Sequence, residues 1–312
     1  MAIKTAVIGV GALGQHHARI LSSLEGCQLV SVVDANMDRA KEIAEKYNTS
    51  ALQNYREIKN VDAVVVAAPT IYHREISNYF LERGVSVLCE KPLASSVEEC
   101  DSIVETSQKY NSNLLVGHIE HFNPAVECVF KETQTPGFLE IHRLGVFTGR
   151  SLDVDVVYDL MIHDIEISST LVKSKIENIE AIGVAVLSNH IDIANARITY
   201  ESGCVCNLTA SRISKDKIRK LRLFEKNSYF SIDYSEQSVE AYRIIEENGN
   251  KTIKKLEFNV EKKEPLRAEL EHFIKVVKGE EKPKVDGISA RNAVKVAAEI
   301  VEKILRRWQE RV

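Results

Sequence analysis

The sequence lacks an apolar run long enough to span a bilayer, which argues against a transmembrane protein. It also lacks an excess of positive charge. Against 41 Lys and Arg stand 45 Asp and Glu, a formal net charge of −4, so there is no electrostatic case for nucleic acid. Its six cysteines are scattered, and their spacing suggests neither a disulfide framework nor a zinc site. Cys204 and Cys206 stand on one face of an expected strand and read as small core residues. No internal repeat, low-complexity tract or secretory leader is visible, so a cytoplasmic protein is expected. At 312 residues, 44% hydrophobic and 28% charged, the chain reads as globular and long enough for two domains.

What is present is concentrated first in Ile3 to Ser22. The short apolar run Ala6-Val7-Ile8 ends in Gly9-Val10-Gly11-Ala12-Leu13-Gly14, and Leu13, His17, Ile20, Leu21 and Leu24 follow at helical spacing. This is strand, glycine turn, helix. In a dinucleotide-binding unit the first glycine makes the tight turn. The second admits a pyrophosphate to the backbone, and the third lets helix and strand pack closely. The N–H groups and dipole at the helix start favour the phosphate charge. A second β-like run, Gln28 to Val33, ends in Asp34, 20 residues beyond Gly14. That spacing suits a carboxylate that takes the ribose hydroxyls. The competing reading is a structural turn with Asp34 as a helix N-cap. An acid at this position also favours NAD over NADP, a preference that the nearby Arg39 and Lys41 weaken.

The chain continues as alternating strand and helix. Helical patterns cover 36–47, about 71–83 and 97–110, and β-like runs lie at 61–68, 85–89 and 113–117. Ser95 or Ser96 is placed to cap the third of these helices. This grammar predicts a parallel, doubly wound sheet whose ligands bind at the carboxyl ends, here Gly9, Asp34, Pro69, Glu90 and Gly117. After about residue 120 the grammar changes to one helix, Asp155 to Val172, followed by many β-like runs joined by Asn, Gly and Ser turns. That predicts a mostly antiparallel sheet. Helices at about 266–278 and 289–306 close the chain, the last expected to pack on the first domain. The expected fold is α/β. It has an N-terminal Rossmann domain over 1–120 and a C-terminal α+β domain over 121–312 with a large, open-faced antiparallel sheet.

Three clusters could carry chemistry. Glu90-Lys91-Pro92 ends a strand, and the proline forces Lys91 into an extended conformation; a surface turn is the plain alternative. Asp159 and His163, four apart on the expected helix, share a face. A carboxylate beside an imidazole orients it and raises its basicity, and histidine suits a general base near neutrality; a polar helix face is the alternative. Asp155, one turn earlier, caps or is solvated. Gly117-His118-Ile-Glu120-His121-Phe-Asn123-Pro124 reads as a loop entering a new helix, with no redundant ligand set, so no metal is expected. The basic run Arg212 to Lys220, with Arg143 and Arg150, is either solvated or placed to receive phosphate.

Gly9-x-Gly-x-x-Gly14, Ala68-Pro69-Thr70 with His73, Glu90-Lys91-Pro92 and Asp159-x-x-x-His163 occur here in the order and spacing of one family. By these motifs the chain resembles the glucose–fructose oxidoreductase and inositol dehydrogenase family (Gfo/Idh/MocA) along essentially its whole length. The resemblance implies NAD(P)-dependent oxidation or reduction at a sugar or cyclitol carbon. It implies a catalytic group of Lys91, Asp159 and His163. It implies cofactor contacts from Gly9, Gly11, Ala12, Leu13, Gly14, Asp34, Ala68, Pro69, Thr70, His73, Glu90, Lys91 and His118. Substrate contacts would come from Lys91, Glu120, Asn123, Arg150, Asp159 and His163. It further implies dimers or tetramers packed through the open sheet face.

Within the family, GHIEHFNPAV and RSLDVDVVYDLMIHDIEI most resemble the members that oxidise UDP-N-acetylglucosamine at its 3-hydroxyl, whose product an aminotransferase then uses. His121 stands where that branch commonly has arginine. The rival expectations are a free cyclitol or aldose dehydrogenase of the same family, a non-enzymatic dinucleotide or sugar sensor, and a structural protein.

Overall fold

The computed structural model describes residues 2–149, 154–247 and 249–310. It divides into two units, Met1–Ile119 with Glu264–Val294 and Glu120–Lys263 with Lys295–Val312.

The first unit runs β1 (Ile3–Ile8), α1 (Gly14–Leu21), β2 (Cys27–Val33), α2 (Met37–Tyr47), β3 (Ser50–Leu52), β4 (Ala63–Val66), α3 (His73–Leu81), β5 (Ser86–Glu90), α4 (Val97–Tyr110) and β6 (Leu114–Gly117). The strands pair in the order β3-β2-β1-β4-β5-β6, all parallel. Every residue of Ala63-Val-Val-Val66 is buried, as expected of a parallel strand covered on both faces. The chain goes outward from β1 through β2 to β3, then returns to β4 on the other side of β1. Ligands of such sheets bind beyond the strand ends at that reversal. Helix starts follow local chemistry. Asn36 caps α2 by accepting from the N–H groups of Asp38 and Arg39, and Ser96 caps α4 by accepting from Glu99 N–H. α1 opens with no capping side chain; Gln15 N–H donates to the Gly11 carbonyl at 3.3 Å and His16 N–H to that of Leu13 at 2.9 Å, and the helix start still presents its positive dipole end.

The first unit also takes in α7 (Pro265–Val277), beyond the boundary expected near residue 120. Its apolar face explains why: Leu270, Phe273, Ile274 and Val276 join one core with Val7, Ile20, Leu21 and Val32. The division falls within α8 (Gly287–Gln309).

The second unit contains α5 (Pro124–Glu132), β7 (Phe138–Leu144), a π-helical turn at Val157–Met161, α6 (Ile162–Val172) and seven further strands. These are β8 (Ile176–Val184), β9 (Ile193–Tyr200), β10 (Val205–Ser211), β11 (Ile218–Glu225), β12 (Ser228–Asp233), β13 (Ser238–Glu247) and β14 (Asn250–Leu256). The eight strands order as β14-β13-β12-β11-β7-β10-β9-β8, antiparallel except for the β7–β10 pair. Burial alternates along β7, β9 and β10, so one face carries the core. Cys204 and Cys206 are buried there, and burial pushes the Cys204 thiol up to about 11.

β7 escapes the sequence pattern because its inward row is Leu139, Ile141 and Arg143, a cation where a third apolar residue is expected. The expected helix Asp155–Val172 also differs, since its first part is the wide π turn. Among the described residues, no helix is long and apolar enough to cross a membrane.

Candidate active site

The glycine turn is fixed by contacts no other residue tolerates. Gly9 has φ +84°, and a Cβ there would lie 2.6 Å from the Ala67 carbonyl oxygen. A Cβ on Gly14 would lie 1.7 Å from the carbonyl oxygen of Gly9. Gly11 is different: nothing lies within 4 Å of its would-be Cβ, so the backbone there faces open space. Ala12 and Leu13 complete the turn, with Leu13 exposed. Asp34 follows β2 and is tied back to this turn. Its Oδ2 accepts from Val10 N–H at 3.0 Å and its Oδ1 from Asn36 N–H at 2.9 Å. The N-cap role belongs to Asn36 instead. Arg39 is engaged within the unit, donating to the Val10 carbonyl at 2.9 Å, to Gln15 at 3.0 Å and to Glu42 at 2.7 Å.

The ends of β4 and β5 are joined by a histidine. His73 is buried, with Nε2 2.8 Å from the Ala68 carbonyl oxygen and Nδ1 3.0 Å from that of Pro92. Carbonyl oxygens only accept, so the two contacts together favour the doubly protonated ring. Burial opposes that charge, but the Cys89 sulfur and the two carbonyls raise the His73 pKa to about 9. Pro69 and Thr70 lie between these anchors, at the start of a short 3-10 turn. Glu90 ends β5. Its Oε2 accepts from Lys91 N–H at 3.2 Å and its Oε1 lies 2.7 Å from His17 Nε2. Burial disfavours the Glu90 charge, but His17 and Lys91 outweigh it and hold the carboxyl below its ordinary range. The Lys91–Pro92 peptide is cis. His118 follows β6 and is buried.

Two buried polar groups of this unit lie where spacing does not place them: His17, expected on the helix surface, is buried on α1 instead, and Glu269 stands within the apolar face of α7. Glu269 is buried with neither oxygen hydrogen-bonded among the described residues. Burial, then the charge of Glu90, pushes the Glu269 carboxyl well above its ordinary range.

In the second unit Asp159 sits in the π turn and His163 in the first turn of α6. π-helical turns are rare and cluster at functional sites. Asp155 anchors the start of this element, with Oδ1 accepting from Ile191 N–H at 2.8 Å and its carbonyl accepting from Tyr158 and Asp159 N–H. Glu120 and Asn123 are engaged inside the unit. Glu120 Oε1 accepts from Arg143 Nη1 at 2.8 Å. Asn123 caps α5 and donates to the Tyr234 carbonyl at 3.0 Å. Arg143 also grips Asp164 with two bonds of 2.9 and 2.7 Å, the forked geometry arginine favours. His121 pairs with Glu166 in the same buried layer. Arg150 lies outside the described residues. Among the described residues, no group of three or more His, Cys, Asp or Glu is gathered to hold a metal.

Residues 3–118 match the GFO_IDH_MocA family model, described as an oxidoreductase family with an NAD-binding Rossmann fold. Over nearly the full length, the UDP-N-acetylglucosamine 3-dehydrogenase of Acidithiobacillus ferrooxidans is 32% identical across 98% of this chain and 99% of its own. The chain belongs to the Gfo/Idh/MocA family. A crystal structure of the Acidithiobacillus ferrooxidans enzyme superposes with a TM-score of 0.90 at 31% identity, over 97% of this chain and 98% of that one. A scyllo-inositol 2-dehydrogenase (NAD(+)) of Bacillus subtilis is 26% identical over 92% of this chain and 90% of its own.

The first unit of this Gfo/Idh/MocA protein fits the dinucleotide its family binds. The backbone is bare at Gly11, α1 starts without a cap, and a carboxylate ends the neighbouring strand. The protein is therefore an oxidoreductase with a dinucleotide-binding Rossmann unit.

Proposed function

We propose that this protein is an NAD-dependent dehydrogenase that oxidises the 3-hydroxyl of a UDP-N-acetylglucosamine-type nucleotide sugar to the 3-keto sugar. The observation that carries the substrate reading is the mutual coverage of 98% and 99% with the 3-dehydrogenase of Acidithiobacillus ferrooxidans. Asp34 supports NAD, because a 2′-phosphate would meet its charge while Arg39 is already engaged with Val10, Gln15 and Glu42.

When bound, the nicotinamide supplies the acceptor for the hydride that leaves the sugar carbon. His163 removes the hydroxyl proton as the C–H bond breaks. Asp159, four residues earlier, orients the imidazole. Lys91 hydrogen-bonds the reacting hydroxyl and stabilises negative charge as it develops on oxygen. One positioned base contributes about 10²–10⁴-fold, so orientation by the strand-end residues Ala68, Pro69, Thr70, Glu90 and His118 supplies much of the rest. His73 acts by fixing the Ala68 and Pro92 carbonyls.

A 3-keto sugar is a substrate for transamination, so an aminotransferase is the expected pathway partner. Ile182, Val184, Phe224, Ile244 and Ile253 expose large apolar side chains on the strands of the second unit, which supports a homodimer or homotetramer formed through that sheet. A second reading, oxidation of a free cyclitol or aldose, is favoured by the likeness to the scyllo-inositol dehydrogenase.

The test is absorbance of the reduced cofactor with purified protein. UDP-N-acetylglucosamine, its uronic acid and myo-inositol are compared, each with NAD and NADP. Turnover of a UDP-sugar with NAD is expected. Turnover confined to myo-inositol would replace this reading with the second, and a preference for NADP would overturn the role given to Asp34.

A further inference from the structure

The second unit contains more buried cation than its visible partners require. Arg143 is matched by Asp164 and Glu120. Arg212 donates to the carbonyls of Val154 and Ile191 and pairs with Asp192 at 3.5 Å. Lys215, Lys217 and Lys220 are exposed. Arg219 remains. It is half-buried, and among the described residues its guanidinium makes no hydrogen bond or ion pair.

Its position makes this unusual. Along β11, Arg219, Leu221 and Leu223 share the inward row, while Lys220 and Arg222 point out. In the antiparallel register Arg219 stands directly opposite Arg143, which is also inward. Opposed residues on one face have Cβ atoms about 4.5–5.5 Å apart, and like charges so placed repel. A position that needed only packing would carry a leucine, as 221 and 223 do. Burial and Arg143 both disfavour the Arg219 charge and lower its pKa, while Glu120, Asp164 and Asp159 draw on it electrostatically. The cation is therefore held at a cost and within electrostatic reach of Asp159.

We propose that Arg219 binds an anionic group of the substrate, phosphate or carboxylate, through the free donors of its guanidinium. The inference rests on the proposed function to the extent that Asp159 belongs to the reacting group. Arginine's fork matches the paired oxygens of either anion. It also gives the second unit a means of separating charged sugars from neutral cyclitols, since a cyclitol would leave the guanidinium unmatched.

The experiment is calorimetric titration of the full-length wild type, Arg219→Gln and Arg219→Lys with UDP, uridine and glucuronate in the presence of NADH. Thermal melting and NADH affinity are measured alongside. Loss of a hydrogen-bonded charge predicts UDP binding weakened about tenfold to a hundredfold in Arg219→Gln, partly restored in Arg219→Lys, and uridine binding unchanged. Melting should hold or rise, because one of two opposed cations is gone; a purely structural arginine predicts a fall. Weakening of glucuronate but not UDP would identify the anion as a carboxylate. Should Arg219→Gln fail to fold, Arg219→Lys alone decides, with full UDP and glucuronate affinity overturning the proposal. Equal binding of both anions by wild type and Arg219→Gln overturns this inference alone. A wild type that binds neither anion and oxidises only neutral sugars overturns it together with the nucleotide-sugar reading.

Discussion

The first unit builds its candidate site largely from backbone, and the second builds its own largely from buried charge. In the first, Gly9 and Gly14 exclude side chains, Asp34 is held by a backbone N–H, and His73 joins two backbone carbonyls. In the second, Arg143 gathers Asp164 and Glu120, His121 pairs with Glu166, and Arg219 faces Arg143 across a strand pair. The first arrangement suits a ligand every family member shares. The second can be varied one side chain at a time, which suits the part of the reaction that differs between members. The comparison predicts that removing a reacting side chain of the second unit leaves cofactor binding intact.

The largest effect expected is on turnover. His163→Ala should lower kcat by about 10²–10⁴-fold, the contribution of a positioned base, and Lys91→Ala by about 10²–10³-fold, that of a donor stabilising charge that develops on oxygen. NADH affinity, read from cofactor fluorescence, should stay near wild type in both. Near-wild-type turnover in either variant would remove its assigned role. A His163→Ala protein that lost NADH instead would break the division between the units.

Next is the charge layer of the second unit. Arg143→Met leaves Asp164 and Glu120 buried without their cation, and breaking a buried pair in this way costs about 3–5 kcal/mol. The chain's one tryptophan, Trp308, belongs to the second unit and donates to the Gly183 carbonyl at 2.9 Å. Its fluorescence during urea unfolding therefore reports that unit. The expected outcome is a marked fall in the midpoint for Arg143→Met, with partial recovery when Asp164→Asn is added. An unchanged midpoint would mean that the layer serves recognition rather than stability.

The same contrast explains what was legible in the sequence. The strand, glycine turn, helix and Asp34 are read from spacing because their geometry is local, and Asn36 two residues on takes the cap that would have competed for Asp34. The EKP and DxxxH residues are legible as family motifs, though no spacing shows what surrounds them. His17 is harder. Its helical position is plain, but its partner Glu90 lies 73 residues away. Arg143 and the basic run holding Arg219 are visible as candidate anion groups, but their inward placement is not, because alternation leads one to expect an apolar residue at each position. Arg143 thereby conceals β7 as well. The π turn leaves no trace either, since one extra residue per turn does not disturb an apolar pattern this short. Glu269 sits among the apolar residues of α7, and its burial beside Glu90 depends on contacts across some 180 residues of chain.

The smallest effect expected sharpens the first unit's side of the comparison. If His73 holds the β4 and β5 ends together as an imidazolium, its contribution must depend on pH. The folded-state value of about 9 lies above the unfolded value near 6.5. The stabilisation is therefore complete below about 6.5 and disappears as pH rises through about 9. The difference corresponds to roughly 3 kcal/mol. Glutamine at this position cannot titrate and has donors on one atom only. In denaturant titrations at pH 6.5, 8 and 9.5, wild type should lose its advantage over His73→Gln progressively, and NADH affinity should follow the same curve because Ala68 and Pro92 flank the loops assigned to the cofactor. Parallel stability curves for the two proteins would show that the ring is neutral and that one of its two carbonyl contacts is not a hydrogen bond.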